Sequence, residues 1–405
     1  MEKAKLVNEA VSHLQVLCHD ISERRVGSRG NREATDYVKN YFERSGWWVR
    51  EDSLSVMDWK TEGASLHGGK QTFEVFSSPY SLGCDVEGEL LPIANPDDLE
   101  NHTLENKIIL LHGDIASEQI MPKNFIFYNP DEHRRIVHAL ETGRPKALIC
   151  ATGRNSATAG GSYPFSLFED GDFDIPSVYM KDTEGEKLLS YSGQTVTLQS
   201  KAFRIPESAF NITGRKGDSF GRRIAVTAHI DAKIGTPGAI DNATGVTVLL
   251  LLAALLKDYS GPYRIELIPF NGEDYYAVPG QMKFIEQNAD KFGEIMLNIN
   301  IDGAGYKEGP SCFSLFDAPE ELRRASDRVF RNHPEIVEGL PWYQGDHSLF
   351  LQNGIPAVAV SSDWFIRHME CQDITHTPKD NLTIVDYERV AECAVGIKEL
   401  IDNLL

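Results

Sequence analysis

From Phe203 to the C-terminus one pattern repeats: a short apolar, β-branched run, a loop, then a segment with helical spacing. The runs are "RIAVTAHI", "YRIELIPF", "EIMLNINI" and "IPAVAVSS". All four are rich in apolar residues, as expected of strands covered on both faces. Between and after them lie "ATGVTVLLLLAALLKDY", "VPGQMKFIEQN", "PEELRRASDRVFRNH" and "DYERVAECAVGIKELIDNLL", all read as helices. The alternation predicts an α/β fold with a mixed, mostly parallel sheet flanked by helices. In open sheets of this kind, ligands bind outside the carboxyl ends of the strands.

The rest of the chain has a different character. Residues 1 to about 50 read as helical, with "MEKAKLVNEAVSHLQVLCHD" amphipathic and "NREATDYVKNYFERSG" ending on a glycine. From Met57 to Ala202 come short strand candidates ("TFEVFS", "KIILLHG", "KALICAT", "TVTLQS"), one helix ("PDEHRRIVHALETG") and a small-residue loop from Asn155. The expected organisation is a discontinuous domain of residues 1–56 and 203–405 with a mainly-β domain, 57–202, inserted. The N-terminus lacks the apolar core of a signal peptide, and "VTVLLLLAALL" is too short to span a bilayer. Six cysteines without a C-x-x-C pair read as reduced thiols, and a net charge of −20 argues against nucleic acid as the main partner. These features predict a cytoplasmic protein with neither a membrane nor a nucleic-acid partner.

Residues of ligand type stand where the pattern allows them to converge. His229 and Asp231 end the first run, and Asp241 lies in the loop before the next helix. Glu273 and Asp274 directly follow the second run, Asp302 follows the third, and His376 lies shortly beyond the fourth. Two imidazoles and three carboxylates (His229, His376, Asp241, Asp274, Asp302) suit zinc or a similar divalent ion. Carboxylates crowded without metal would repel one another. If Asp241 bridges, each of two ions receives one histidine, one terminal carboxylate and one shared oxygen. Asp231, two residues from His229, is placed to accept the second ring N–H and set its tautomer. Glu273 is left as general base for water activated by the metal.

The order of these motifs resembles the M28 family of zinc aminopeptidases and carboxypeptidases. The resemblance rests on H-x-D at His229–Asp231, "GAIDNATG", the acidic pair, "NID" ending in Asp302, "GDHSLFLQNGIPAV" and "THTPKD". It covers 203–405 strongly and extends to the helical start around "RRVGSRGNREATDYV". The middle segment is more loosely similar to the protease-associated insert of some members. The resemblance implies two zinc ions, with His229 and Asp302 on one, Asp274 and His376 on the other, and Asp241 on both. It further implies hydrolysis of a peptide bond next to a free chain terminus, most simply at the N-terminus. Two positions depart from the family pattern. The acidic pair is Glu-Asp rather than Glu-Glu, and Thr375 stands where several members place an oxyanion-stabilising tyrosine. His347, His368 and Tyr343 are the alternatives for that donor, and Tyr275–Tyr276 are candidates for lining a pocket.

Two other functions fit this scaffold. A glutaminyl cyclase-like transferase needs one zinc and not the full five-ligand set. A non-catalytic binding protein is expected to lack a ligand or the base, and none is missing here.

Overall fold

The computed structural model describes residues 3–21, 23–125, 128–154 and 159–404. The first two residues of the expected N-terminal helix and the start of the loop at Asn155 lie outside them. The chain forms two compact units, Met1–Val56 with Ser208–Leu405, and Met57–Glu207. It passes from one to the other inside two long strands, Trp48–Gly68 and Thr195–Gly217.

In the first unit, helices α1 (Lys3–Gln15) and α2 (Arg29–Arg44) precede β1 (Arg223–His229), α3 (Thr244–Leu255), β2 (Arg264–Phe270), α4 (Pro279–Asn288) and β3 (Ile295–Ile301). Then come β4 (Ser311–Phe316), α5 (Glu320–Asn332), β5 (Ile336–Glu338), α6 (His347–Gln352), β6 (Ala357–Ser362), α7 (Asp363–His368) and α8 (Tyr387–Asn403). The sheet runs β5-β4-β6-β3-β1-β2, followed by the end of the Thr195–Gly217 strand. The central neighbours β6, β3, β1 and β2 are parallel, while β4 pairs antiparallel with β6, and Gly214–Gly217 antiparallel with β2. The sheet is thus mixed and mostly parallel, with helices flanking it.

Every residue of β1 is buried, as the unalternating sequence requires. Helix α3 is buried from Thr244 through Ala253 and has no polar face. Helices α1 and α8 pack on it and on each other, burying Leu6, Leu14, Leu249, Ile397 and Leu400 in one core. Helix α2 starts at Ser28, whose Oγ accepts the Asn31 N–H, and α8 starts at Asp386, which accepts from Glu388 and Arg389. The sequence reading missed β4 and β5. "SCFSLF" is a short run interrupted by Ser314, and a three-residue strand carries almost no periodicity.

The second unit has its own core around Ile109, Leu111, Leu140, Leu148 and Phe168. Its strands Cys84–Ile93, Ile108–Leu111, Ala147–Thr152 and Ser177–Lys181 are parallel neighbours. Besides the expected helix, Asp131–Gly143, it contains Pro96–Asn101 and Asp182–Leu188. Parallel neighbours need a crossover: Pro96–Asn101 lies in the first and Asp131–Gly143 in the second, while Asp182–Leu188 follows the last of these strands. All six cysteines are free thiols, and no helix among the described residues is long and apolar enough to cross a membrane.

Candidate metal centre

The residues singled out in the sequence leave strand ends at one edge of the first unit's sheet. His229 closes β1 directly opposite Phe270, the last residue of β2. Pairing continues one step further, with the Ile230 N–H donating to the Phe270 carbonyl at 2.8 Å. On the next strand pair, the Asp302 N–H donates to the Val360 carbonyl at 2.9 Å. These bonds carry the rigidity of the sheet into the first residues of the loops.

The acidic pair is held through Asp231. Its buried carboxylate accepts the N–H groups of Gly272 (2.7 Å), Glu273 (3.2 Å) and Asp274 (3.0 Å). One charge therefore organises the whole turn after β2. Gly272 has a φ of 126°, and a Cβ there would come within 2.4 Å of Pro279 Cδ, so only glycine fits. Toward His229, Asp231 acts mainly through its backbone. The ring Nδ1 lies 3.2 Å from the Asp231 carbonyl and 3.7 Å from its Oδ1. Either oxygen leaves Nε2 as the nitrogen facing the cluster.

Asp241 lies in the irregular turn Ala239–Ala243 at the start of α3. Buried Asp380 accepts the N–H groups of Ile240 (2.7 Å) and Asp241 (3.0 Å), one on each oxygen. Buried Arg24 fastens the loop from the other side, donating to the carbonyls of Leu17, Ile230, Pro237 and Gly238.

These supports bring the side chains together. His229 Nε2 is 3.0 Å from Asp241 Oδ1 and 3.8 Å from Asp302 Oδ1. His376 Nε2 is 3.1 Å from both Asp241 Oδ2 and Asp274 Oδ1. Asp241 thus faces one imidazole with each oxygen. The His229 side chain is only 1% exposed, whereas Asp241, Asp302 and His376 are 14–17% exposed, so the cluster is closed at its base and open on one side. Ligand atoms of His229, Asp241 and Asp274 lie within 4.8 Å of one another, a candidate metal triad.

The donor set fits a cation. His229 Nε2 and Asp274 Oδ2 are buried without a hydrogen-bond partner among the described residues, as expected of ligand atoms whose place is on a cation. Imidazole nitrogen with carboxylate oxygen is a ligand set suited to zinc and its neighbours. The protonation balance agrees. Burial alone would lower the His229 imidazole, but Asp231, Asp241 and Asp302 around it hold it well above its ordinary value. Burial opposes charge on His376 too, and Asp274 and Asp241 outweigh it. Burial likewise works against charge on Asp241, yet the two imidazoles pull its carboxyl well below the usual range. Burial drives Glu273 well above its normal value, reinforced by Asp274, Asp302 and Asp346, and it raises Asp302 as well.

Four supporting residues carried no sequence signal of their own. Asp380 and Asp346 lie inside quoted motifs but in no position that spacing could assign. Burial pushes both up to about 7. Gln281 donates to Asp346 Oδ1 at 2.7 Å. Arg24 comes from the chain start, some 200 residues from the carbonyls it binds. The alternative oxyanion donors have other partners. His347 packs against Trp342 and Phe316, with Nε2 2.8 Å from the Trp342 carbonyl, and His368 stacks on Trp364. Tyr343 is exposed beside Phe316, and the Thr375 hydroxyl accepts from Gln372. Tyr275 is buried, with its ring 4.7 Å from that of Tyr276.

Residues 211–401 match the model of peptidase family M28. An aminopeptidase from Aneurinibacillus sp. strain AM-1 superimposes with a TM-score of 0.77 at 20% identity, covering 98% of this chain and 93% of that one. A zinc aminopeptidase from Bacillus subtilis superimposes with 0.74 at 19% identity, over 98% and 94% of the two chains. In sequence, a probable lipoprotein aminopeptidase of Mycobacterium tuberculosis is 24% identical over 327 residues, 78% of this chain and 60% of that protein. A Bacillus subtilis aminopeptidase is 24% identical over 230 residues, 54% of this chain and 49% of that protein. The match thus spans about half to three fifths of the length of these curated relatives. The chain thus shares the fold of these solved aminopeptidase structures, and its match to the M28 family model spans 211–401.

Proposed function

We propose that this protein is a zinc-dependent aminopeptidase that hydrolyses the N-terminal peptide bond of its substrates. The observation that carries the reading is the pair of buried, unsatisfied ligand atoms, His229 Nε2 and Asp274 Oδ2, beside Asp241. The aminopeptidases that share the fold support it.

In this reading His229 and Asp302 would hold one zinc and Asp274 and His376 a second, with Asp241 offering one oxygen to each. Bound zinc supplies Lewis acidity, polarising the scissile carbonyl and lowering the pKa of water. Glu273 takes a proton from the attacking water on its carboxylate and returns it to the leaving amine. Burial, with the neighbouring carboxylates, raises its carboxyl above the ordinary value, which favours uptake of that proton. Asp231 is a positioning residue that fixes the Glu273–Asp274 turn through three backbone N–H groups. The acid-rich rim favours a cationic substrate end, which selects a free α-amine. Met57–Glu207 is read as a protease-associated insert, and the free thiols suit a reducing cytoplasm.

Mass spectrometry of free and N-acetylated peptides incubated with zinc-loaded protein tests the reading. Loss of one residue from free N-termini only is the expected result. Trimming from the C-terminus would make the protein a carboxypeptidase, and loss of ammonia from glutamine peptides without cleavage a cyclase. Glu273→Gln should lower kcat by about 10²–10⁴-fold with zinc content unchanged. Full activity in that variant would refute the assignment of the base.

A further inference from the structure

The strands that end at the acidic cluster begin among cations. Arg223 and Arg264 open β1 and β2 side by side in register, and Arg215 pairs with Glu266 across the antiparallel edge. With Arg50 and Lys291 they line a cleft of about 280 Å³ within the first unit. Their counter-charges are too few. Fully buried Glu266 is shared between Arg215 (2.9 Å) and Arg223 (2.6 Å). Asp52 serves Arg50 at 2.8 Å, and Glu294 reaches Arg264 only at 3.5 Å. Five cations thus face three carboxylates, in a chain whose net charge is −20. Composition does not produce such a cluster, and self-repulsion opposes it.

A second observation points to a missing partner. Arg264 Nε is buried without a hydrogen-bond partner among the described residues. Its side chain is 20% exposed overall, so the guanidinium lies at the cleft wall and not in the closed core. Burial lowers the Arg215 guanidinium, and although Glu266 counters this, the charges of Arg50, Arg223 and Arg264 lower it further.

We propose that this cleft binds a small polyvalent oxyanion, a molecule carrying two or more phosphate or carboxylate groups. Guanidinium forks match both groups through paired hydrogen bonds, and an anion supplies the charge that the three carboxylates lack. Arg215 and Arg223, committed to Glu266, form the fixed wall. Arg50, Arg264 and Lys291 make the contacts. The site is remote from the metal centre. Seven-residue strands separate Arg223 from His229, a span of about 20 Å at roughly 3.3 Å per residue. The anion therefore touches none of the reacting groups, and the proposal stands independently of the peptidase reading.

Isothermal titration with pyrophosphate and with citrate, at fixed ionic strength in chloride, tests it. Both anions also chelate zinc, so two variants separate the sites. Asp241→Asn, freed of metal by dialysis, should bind one anion per chain, and the Arg50→Gln/Arg264→Gln double variant made in that background should bind at least about tenfold more weakly. The double variant leaves both Glu266 pairs intact, and a thermal melt confirms its fold. Tighter pyrophosphate identifies a phosphate ligand, and tighter citrate a carboxylate ligand. No binding to metal-free Asp241→Asn overturns the proposal. So does binding that survives in the double variant made in that background.

Discussion

The two edges of the first unit's sheet carry opposite excesses of charge on the same strands. At the carboxyl ends of β1, β2 and β3, carboxylates outnumber the two imidazoles, and buried ligand atoms lack hydrogen-bond partners among the described residues. At the amino ends of β1 and β2, guanidinium groups outnumber carboxylates among the described residues, and a buried nitrogen lacks a hydrogen-bond partner there. The strand interiors between them are apolar and closed. A parallel sheet presents all its carboxyl ends on one side and all its amino ends on the other, so it can gather one kind of charge at each. The edges differ in how that charge is held. The acidic edge is braced by backbone N–H groups on Asp231 and Asp380, so its geometry is set before any ligand arrives. The basic edge relies on one buried acid, Glu266, shared by two arginines.

The largest contrast lies in ligand removal. Asp241→Asn, or chelation, should remove peptidase activity to background, and the variant should lose metal affinity by about 10–100-fold or more, measured by metal analysis after dialysis. Pyrophosphate binding at the opposite edge should be unaffected. Coupled losses would mean that the two edges are one site.

Next is the cost of breaking each brace. Glu266→Gln leaves Arg215 and Arg223 without their shared counter-charge and should destabilise by about 3–5 kcal/mol in urea unfolding. Arg264→Gln removes only a long, partly exposed pair and should change stability by less than about 1 kcal/mol. Equal effects would show that Glu266 is not the brace.

The smallest effect is a pH dependence confined to the acidic edge. Without a cation, Glu273 and Asp302 are raised and Asp346 and Asp380 sit at about 7. A carboxyl raised above its unfolded value binds more protons when folded, so it supports the apoprotein at acid pH and loses that support as pH rises through about 7. Raised His229 and His376 must also release protons before they ligate metal. The zinc-dependent gain in Tm should therefore grow between about pH 5.5 and pH 7.5, by roughly 1–2 °C for each kcal/mol of added linkage. His13 and His347, which burial lowers to about 4, titrate alike in both forms and cancel in the difference. A gain that shrinks with pH would contradict protons and metal competing for one set of ligands.

Much of the acidic edge was legible because its residues touch strand signals. His229 and Asp302 abut unbroken apolar runs, and Glu273–Asp274 follow one after two residues. His376 was legible only by its motif, since a short helix and a loop separate it from β6. Asp380, Asp346, Gln281 and Arg24 escaped notice because their roles are hydrogen bonds to backbone or to one another across 65–214 residues of chain. The arginine cleft was invisible for the same reason. Arg50 and Arg264 stand singly, Arg215 precedes Lys216 and Arg223 follows Arg222, and each reads as an ordinary polar residue near a strand.

The sequence by itself determined the strand–helix alternation, the apolar runs that must be buried on both faces and the placing of ligand-type residues just beyond them. Those are short-range properties, set by side-chain periodicity within one element. The tertiary structure decided which strand lies beside which, and so which residues meet. Only when β3, β1 and β2 pair in register does Asp241 stand between two imidazoles, and only then do arginines from four separate segments share one cleft. Strand order depends on pairing across long stretches of chain, which no local pattern encodes.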